Sequence, residues 1–112
     1  MKLKKIYIAG KVTGLPARET YLKFKKAELS IAASGFSAVN PIEVVNDENA
    51  RWDVAMKVCI KALLDCDAVL ILPDWMRSKG AKLEVEICDQ LKIPTFNNLE
   101  DLKRWKSLQP IK

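Results

Sequence analysis

Apolar residues fall into short continuous runs and helix-spaced stripes that alternate along the chain. Leu3 to Ala9 is a β-type run ending at Gly10, and Gly14 and Pro16 break the segment that follows. Tyr21, Phe24, Ala27, Ile31 and Ala32 then recur at helical spacing as far as Ser34-Gly35, where the glycine is a natural helix stop. Phe36 to Val39 predicts a second strand closed by Asn40-Pro41, followed by a polar loop through Asn46-Asp47-Glu48-Asn49. Trp52, Ala55, Met56, Cys59 and Leu63 trace one face of a second helix ending near Asp65, with Asp53, Lys57 and Lys61 on the other. Ala68 to Leu72 is the unbroken apolar run expected of a central parallel strand buried on both faces. A third helix is predicted from about Ser78 to Lys92 on a core stripe of Leu83, Ile87 and Leu91. Ile93 to Phe96 begins another strand, and Leu99 to Trp105 reads as a terminal helix.

Strands alternating with helices predict an α/β domain, an open and largely parallel sheet with helices on both faces. The 112 residues fit one domain over 1–112. Ligands of such sheets bind beyond the carboxyl ends of the strands, which singles out the loops after Ala9, Val39 and Leu72.

Composition narrows the chemistry more than it identifies it. Nineteen Lys and Arg against fourteen Asp and Glu give a net charge of +5, which favours phosphate-bearing partners in general. The lysines are spread over residues 2–5, 23–26 and 103–106, as solvated helix faces and termini would have them, so nucleic acid is not the expected partner. The absence of histidine excludes histidine-dependent triads and histidine zinc sites, and Cys59, Cys66 and Cys88 form no CxxC pair. No metal or cofactor is expected. The cysteines read as reduced thiols of a cytoplasmic protein. The short run Ile6-Tyr7-Ile8-Ala9 is no signal-peptide core, and nothing approaches a membrane span.

The loop Gly10-Lys11-Val12-Thr13-Gly14 has two glycines and a lysine but is neither a dinucleotide fingerprint nor a P-loop. The segment Asp74 to Gly80 is richer, because Ser78 and Gly80 stand at a helix start, where free amides favour anions. Ser78 as a plain cap and Gly80 as a packing glycine explain the same residues. Glu84 lies four residues after Gly80, so its carboxylate leans over a position without a side chain, leaving room for a small ligand. A solvated helix glutamate is the competing reading. Tyr7, near the end of the first strand, is placed either to orient a carboxylate or simply to fill core. Trp52 fits its helix's apolar stripe, so the loop residue Trp75 is the better candidate for a wall against a base.

Taken in order, Ile6-Tyr7-Ile8-Ala9-Gly10, Asn40-Pro41, Cys66-Asp67-Ala68-Val69 and Ser78-Lys79-Gly80-Ala81-Lys82-Leu83-Glu84 resemble the nucleoside 2-deoxyribosyltransferase-like superfamily, closest to its small DUF4406 branch. The resemblance spans roughly residues 4–96. It implies a flavodoxin-like, Rossmannoid fold and chemistry at the N-glycosidic bond of deoxynucleosides or their 5′-monophosphates. Glu84 then matches the family nucleophile, which forms a covalent deoxyribosyl-enzyme that water or a second base resolves. Tyr7 matches the tyrosine that positions it. Ser78 matches the serine that holds a 5′-phosphate in the related deoxynucleotide N-hydrolases, so a monophosphate is the preferred ligand. Lys11 and Lys79 stand nearby without matching a family motif.

One departure stands out: Cys59 occupies the helix position where the family usually has an aspartate that binds and protonates the departing base. A neutral thiol is a poor substitute, and loss of a general acid commonly costs about 10² to 10⁴ in rate. Asp74 is an alternative proton source. The alternatives to an N-glycosidase or deoxyribosyltransferase are a catalytically impaired nucleotide-binding or sensing protein and a regulatory domain without a small ligand. The superfamily also implies a homo-oligomer, for which Leu102, Trp105 and Leu108 are candidate contacts.

Overall fold

The computed structural model describes residues 2–108. Its centre is a four-stranded parallel sheet in the order β2-β1-β3-β4, formed by β1 (Lys5–Ala9), β2 (Ser37–Val39), β3 (Ala68–Ile71) and β4 (Thr95–Phe96). The helices are α1 (Ala17–Ala33), α2 (Pro41–Val45), α3 (Trp52–Leu64), α4 (Lys79–Leu91) and α5 (Leu99–Ser107), with a 3₁₀ turn over Trp75–Arg77. This is the α/β architecture that alternation predicts, consistent with a flavodoxin-like or Rossmannoid fold. Among the described residues, no helix is long and apolar enough to cross a membrane.

The period of two in β1 divides the interior into two cores. Ile6 and Ile8 point to one face, where Phe24, Ala27 and Ile31 of α1 and Leu102 of α5 cover them. Tyr7 and Ala9 point to the other, where Cys59 and Leu63 of α3 and Cys88 of α4 pack on them with Val69 and Ile71. Both middle strands are buried on both sides apart from Lys5, as expected of parallel strands between helix layers.

Several sequence expectations are corrected. Asn40-Pro41 does not merely close β2; it starts α2, with the Asn40 side chain accepting a hydrogen bond from the Ile42 amide at 3.0 Å and proline in the first turn. On α1, Tyr21 and Ala32 face outward and Thr20 is buried instead, its hydroxyl bonded to the Pro16 carbonyl at 2.9 Å. On α4, Leu83 and Leu91 are exposed and Ile87 half-buried, so the inward face is Gly80, Ala81, Glu84 and Cys88. Small residues there bring the helix axis close to the sheet, which a large-apolar stripe would hold away. Leu102 is core, Trp105 is half-buried with its ring packed on Phe96 at a centroid distance of 5.5 Å, and Leu108 is exposed.

Candidate functional site

The closeness of α4 to β1 joins the two residues with the most chemistry. The Tyr7 hydroxyl donates to Glu84 Oε2 at 2.5 Å, between a fully buried tyrosine and a glutamate with 5% of its surface exposed. Ala81 and Cys88, one turn to either side of Glu84, are small enough to let that contact form. Burial pushes the Glu84 carboxyl up to about 7, against the opposing pull of the Tyr7 hydrogen bond. Burial, then the charges of Glu84 and Cys59, push the Tyr7 phenol far above its ordinary range, so it remains a neutral donor. Cys59 is close enough to sense both: burial lifts its thiol to about 11, with Tyr7 opposing and Glu84 adding to the rise. The trio therefore holds one proton acceptor poised near neutrality beside two groups that stay protonated.

This pair lines a crevice of about 870 Å³ at the carboxyl ends of β1 and β2. Its walls are the loop after β1 (Val12 to Leu15), α2 with the residues that follow, Trp52 and Met56 of α3, and the start of α4. The Ser78 hydroxyl accepts from the Ala81 amide at 3.0 Å, capping α4. Capping leaves the first amides of the helix as anion-attracting donors. A smaller hollow of about 590 Å³ lies at the other end of α4, lined by Val85, Cys88 and residues 92–95, and contains neither the phenol–carboxylate pair nor a helix start.

Of the residues singled out in the sequence, Tyr7, Gly10, Cys59, Ser78, Gly80 and Glu84 meet on this one crevice. Asp74 and Trp75 do not. Trp75 packs against the core between α3, α4 and the sheet, whereas Trp52, expected to be core, is 37% exposed and lines the crevice. Asp74 accepts from the Lys11 amide at 3.0 Å and from Lys23 Nζ at 2.6 Å. Burial acts to raise its pKa, but the Lys23 and Lys11 hydrogen bonds outweigh it and hold the carboxyl below the ordinary range, which makes it a poor proton donor. The room expected beside Gly80 is taken: a Cβ there would lie 2.9 Å from Met56 Sδ. Gly10 is likewise a packing glycine, pressed against Leu72. Lys79 sits over the Trp52 ring, 4.3 Å from its centroid, and the Lys11 ammonium donates to the Arg77 carbonyl at 3.2 Å.

Sequence reasoning missed the α2 wall, Ile42, Glu43 and Asn46. The Asn-Pro pair was the available signal, since it begins a helix as readily as it ends a strand. The geometry supplies a buried carboxyl, oriented by a phenol and open to a ligand-sized crevice, that is a nucleophile or base when ionised and an acid when protonated.

No curated protein matches the chain. The family described as a domain of unknown function, DUF4406, matches residues 4–96, a span that includes every residue of the crevice pair and its cap. The chain belongs to the DUF4406 family.

Proposed function

We propose that this protein breaks, or transfers across, the N-glycosidic bond of a deoxynucleoside or its 5′-monophosphate, with Glu84 as the nucleophile. The observation that carries this reading is the buried Tyr7–Glu84 pair at the carboxyl end of a parallel sheet, opening on a crevice that begins at a capped helix N-terminus. In the first step the Glu84 carboxylate bonds to C1′ of the sugar while the C1′–N bond breaks, and its electron pair leaves with the base, which takes a proton from solvent water. In the second, water or another base displaces Glu84 from C1′. Tyr7 holds the carboxylate in line and, by hydrogen bonding, favours its ionised form. Ser78 and the first amides of α4 suit a 5′-phosphate.

Incubation with each deoxynucleoside 5′-monophosphate is expected to release free base, with a rate that rises with pH through about 7 as Glu84 ionises. Glu84→Ala abolishes release. The reading is lost if no base appears with any substrate, or if Glu84→Ala is as active as the wild type.

One observation favours a second reading, a nucleotide-binding or sensing protein of impaired catalysis. The thiol of Cys59, raised to about 11, stands beside the Tyr7–Glu84 pair and is a far weaker acid than an aspartic acid at that position would be. Calorimetry showing tight binding without turnover supports it, and Cys59→Asp is then expected to restore turnover by roughly 10².

A further inference from the structure

Asp74, excluded from the crevice, has both carboxylate oxygens engaged near its rim. Parallel pairing sets Ala9 beside Ile71, and the ladder runs one bond further, from the Leu72 amide to the Ala9 carbonyl at 2.8 Å. The chain beyond β1 therefore starts its loop alongside the chain beyond β3. There Oδ1 of Asp74 accepts from the Lys11 amide at 3.0 Å and Oδ2 accepts from Lys23 Nζ at 2.6 Å. The same ammonium also donates to the Lys11 carbonyl at 2.6 Å. The Lys11 ammonium in turn donates to the carbonyl of Arg77, the residue before the cap Ser78. Both polar groups of the Lys11 residue's backbone are thus clamped by a charge pair whose side chains are only 26% and 15% exposed. Charge-assisted hydrogen bonds of this kind are the strong ones.

The residues either side of this clamp line the crevice: Gly10 and Val12 to Leu15 on one rim, Ser78 and Gly80 on the other. We propose that Asp74 is a positioning residue, which through Lys23 and Lys11 latches the loop after β1 to the start of α4 and so sets the gap in which the ligand's anionic end is held. The mention of an anionic ligand rests on the nucleotide reading above; the latch itself does not. Tyr7 and Glu84 sit inside β1 and α4 rather than on the latched loops. The latch therefore acts on ligand affinity and leaves the chemical step almost untouched.

The test pairs hydrogen exchange on the free protein with kinetics, or calorimetry where there is no turnover, using deoxyadenosine and deoxycytidine 5′-monophosphates. In Asp74→Ala, the Lys11 amide is expected to exchange about tenfold faster while β1 and α4 keep wild-type protection. KM or Kd rises about tenfold and kcat stays within about twofold. Lys23→Met, which leaves Asp74 its backbone partner, shifts the same readouts less, and Lys23→Arg restores them to near wild type. Unchanged Lys11 exchange, or acceleration spread over the whole sheet, overturns the latch. A fall in kcat at unchanged KM overturns its assignment to the ligand gap. If the wild type neither binds nor cleaves these two nor the remaining deoxynucleoside 5′-monophosphates, the nucleotide reading fails, and the exchange measurements alone decide whether the latch stands.

Discussion

The two faces of the sheet are built on opposite terms, although the same strands supply both. On the α1 and α5 side, Ile6, Ile8, Phe24, Ile31, Leu70 and Leu102 form an all-hydrocarbon core. On the α3 and α4 side, the equivalent depth holds Tyr7, Cys59 and Cys88, with the Glu84 carboxyl buried among them. Burying a carboxyl in such a place opposes folding and is tolerated where the fold is stabilised elsewhere. The apolar face accordingly supplies stability, and the other face uses some of it to hold a carboxyl poised near neutrality.

The largest effect expected from breaking this contrast is on the apolar side. Phe24 is fully buried, and Phe24→Ala is expected to cost about 3 to 5 kcal/mol, read as a lower urea midpoint at unchanged slope.

On the other side the sign reverses. Glu84 holds its proton more tightly when folded, at about 7, than at its ordinary value of 4.5. A group raised in this way contributes fully below about pH 4.5 and loses that contribution as pH rises through 7. Glu84→Gln removes the ionisation while leaving Tyr7 an acceptor, so it is expected to stabilise the protein by about 3 kcal/mol at pH 8.5 and by little near pH 4.5. Urea unfolding at the two pH values checks this. Equal stability of variant and wild type at pH 8.5 would contradict a buried, strained carboxylate.

Tyr7→Phe sharpens the same point on a smaller scale. Burial raises Glu84, and the phenol's hydrogen bond is what counteracts it. Removing the hydroxyl should move the carboxyl above about 7 and cost about 1 to 3 kcal/mol at pH 8.5, where the carboxylate loses its donor, with less cost at pH 4.5. Carboxyl-labelled NMR titration of Glu84 measures the shift directly, and an unmoved or lowered midpoint counts against the pairing.

The same contrast explains what was legible in the sequence. Alternation in Ile6-Tyr7-Ile8 and the run Ala68 to Leu72 declare parallel strands because burial on both faces leaves a pattern that any polar residue would interrupt. Tyr7, Ser78 and Glu84 were legible as candidates because strand ends and helix starts have fixed places in such a sheet. The stripe of large residues on α4 is not its buried face; periodicity reports spacing, and spacing cannot say that Gly80, Ala81 and Cys88 let the helix approach. Trp52 and Trp75 exchanged roles for the same reason, since which aromatic meets solvent depends on how two helices settle. The Asp74 latch was illegible: its partners Lys11 and Lys23 lie far back in the chain and are brought to it only by strand register.

The smallest expected effects compare two glycines, one serving each side. A Cβ on Gly10 would lie 2.7 Å from Leu72 Cδ1 and 3.0 Å from Leu72 Cβ, which the backbone of the strand end fixes in the apolar core. Gly10→Ala is therefore expected to cost about 1 to 3 kcal/mol. A Cβ on Gly80 would meet Met56 Sδ at 2.9 Å, but that sulfur is the far end of an unbranched side chain on the crevice wall and can swing aside. Alanine also suits a helix better than glycine, by up to about 1 kcal/mol. The two contributions nearly cancel, so Gly80→Ala alone should change stability by less than about 1 kcal/mol. In a Met56→Ala background, where nothing opposes the new methyl, the same substitution should become stabilising by about 0.5 to 1 kcal/mol. Thermal unfolding of the four proteins in that cycle decides it. If Gly80→Ala costs as much as Gly10→Ala, or stays unfavourable without Met56, the α3–α4 seam is as rigid as the apolar core and the two faces differ in chemistry alone.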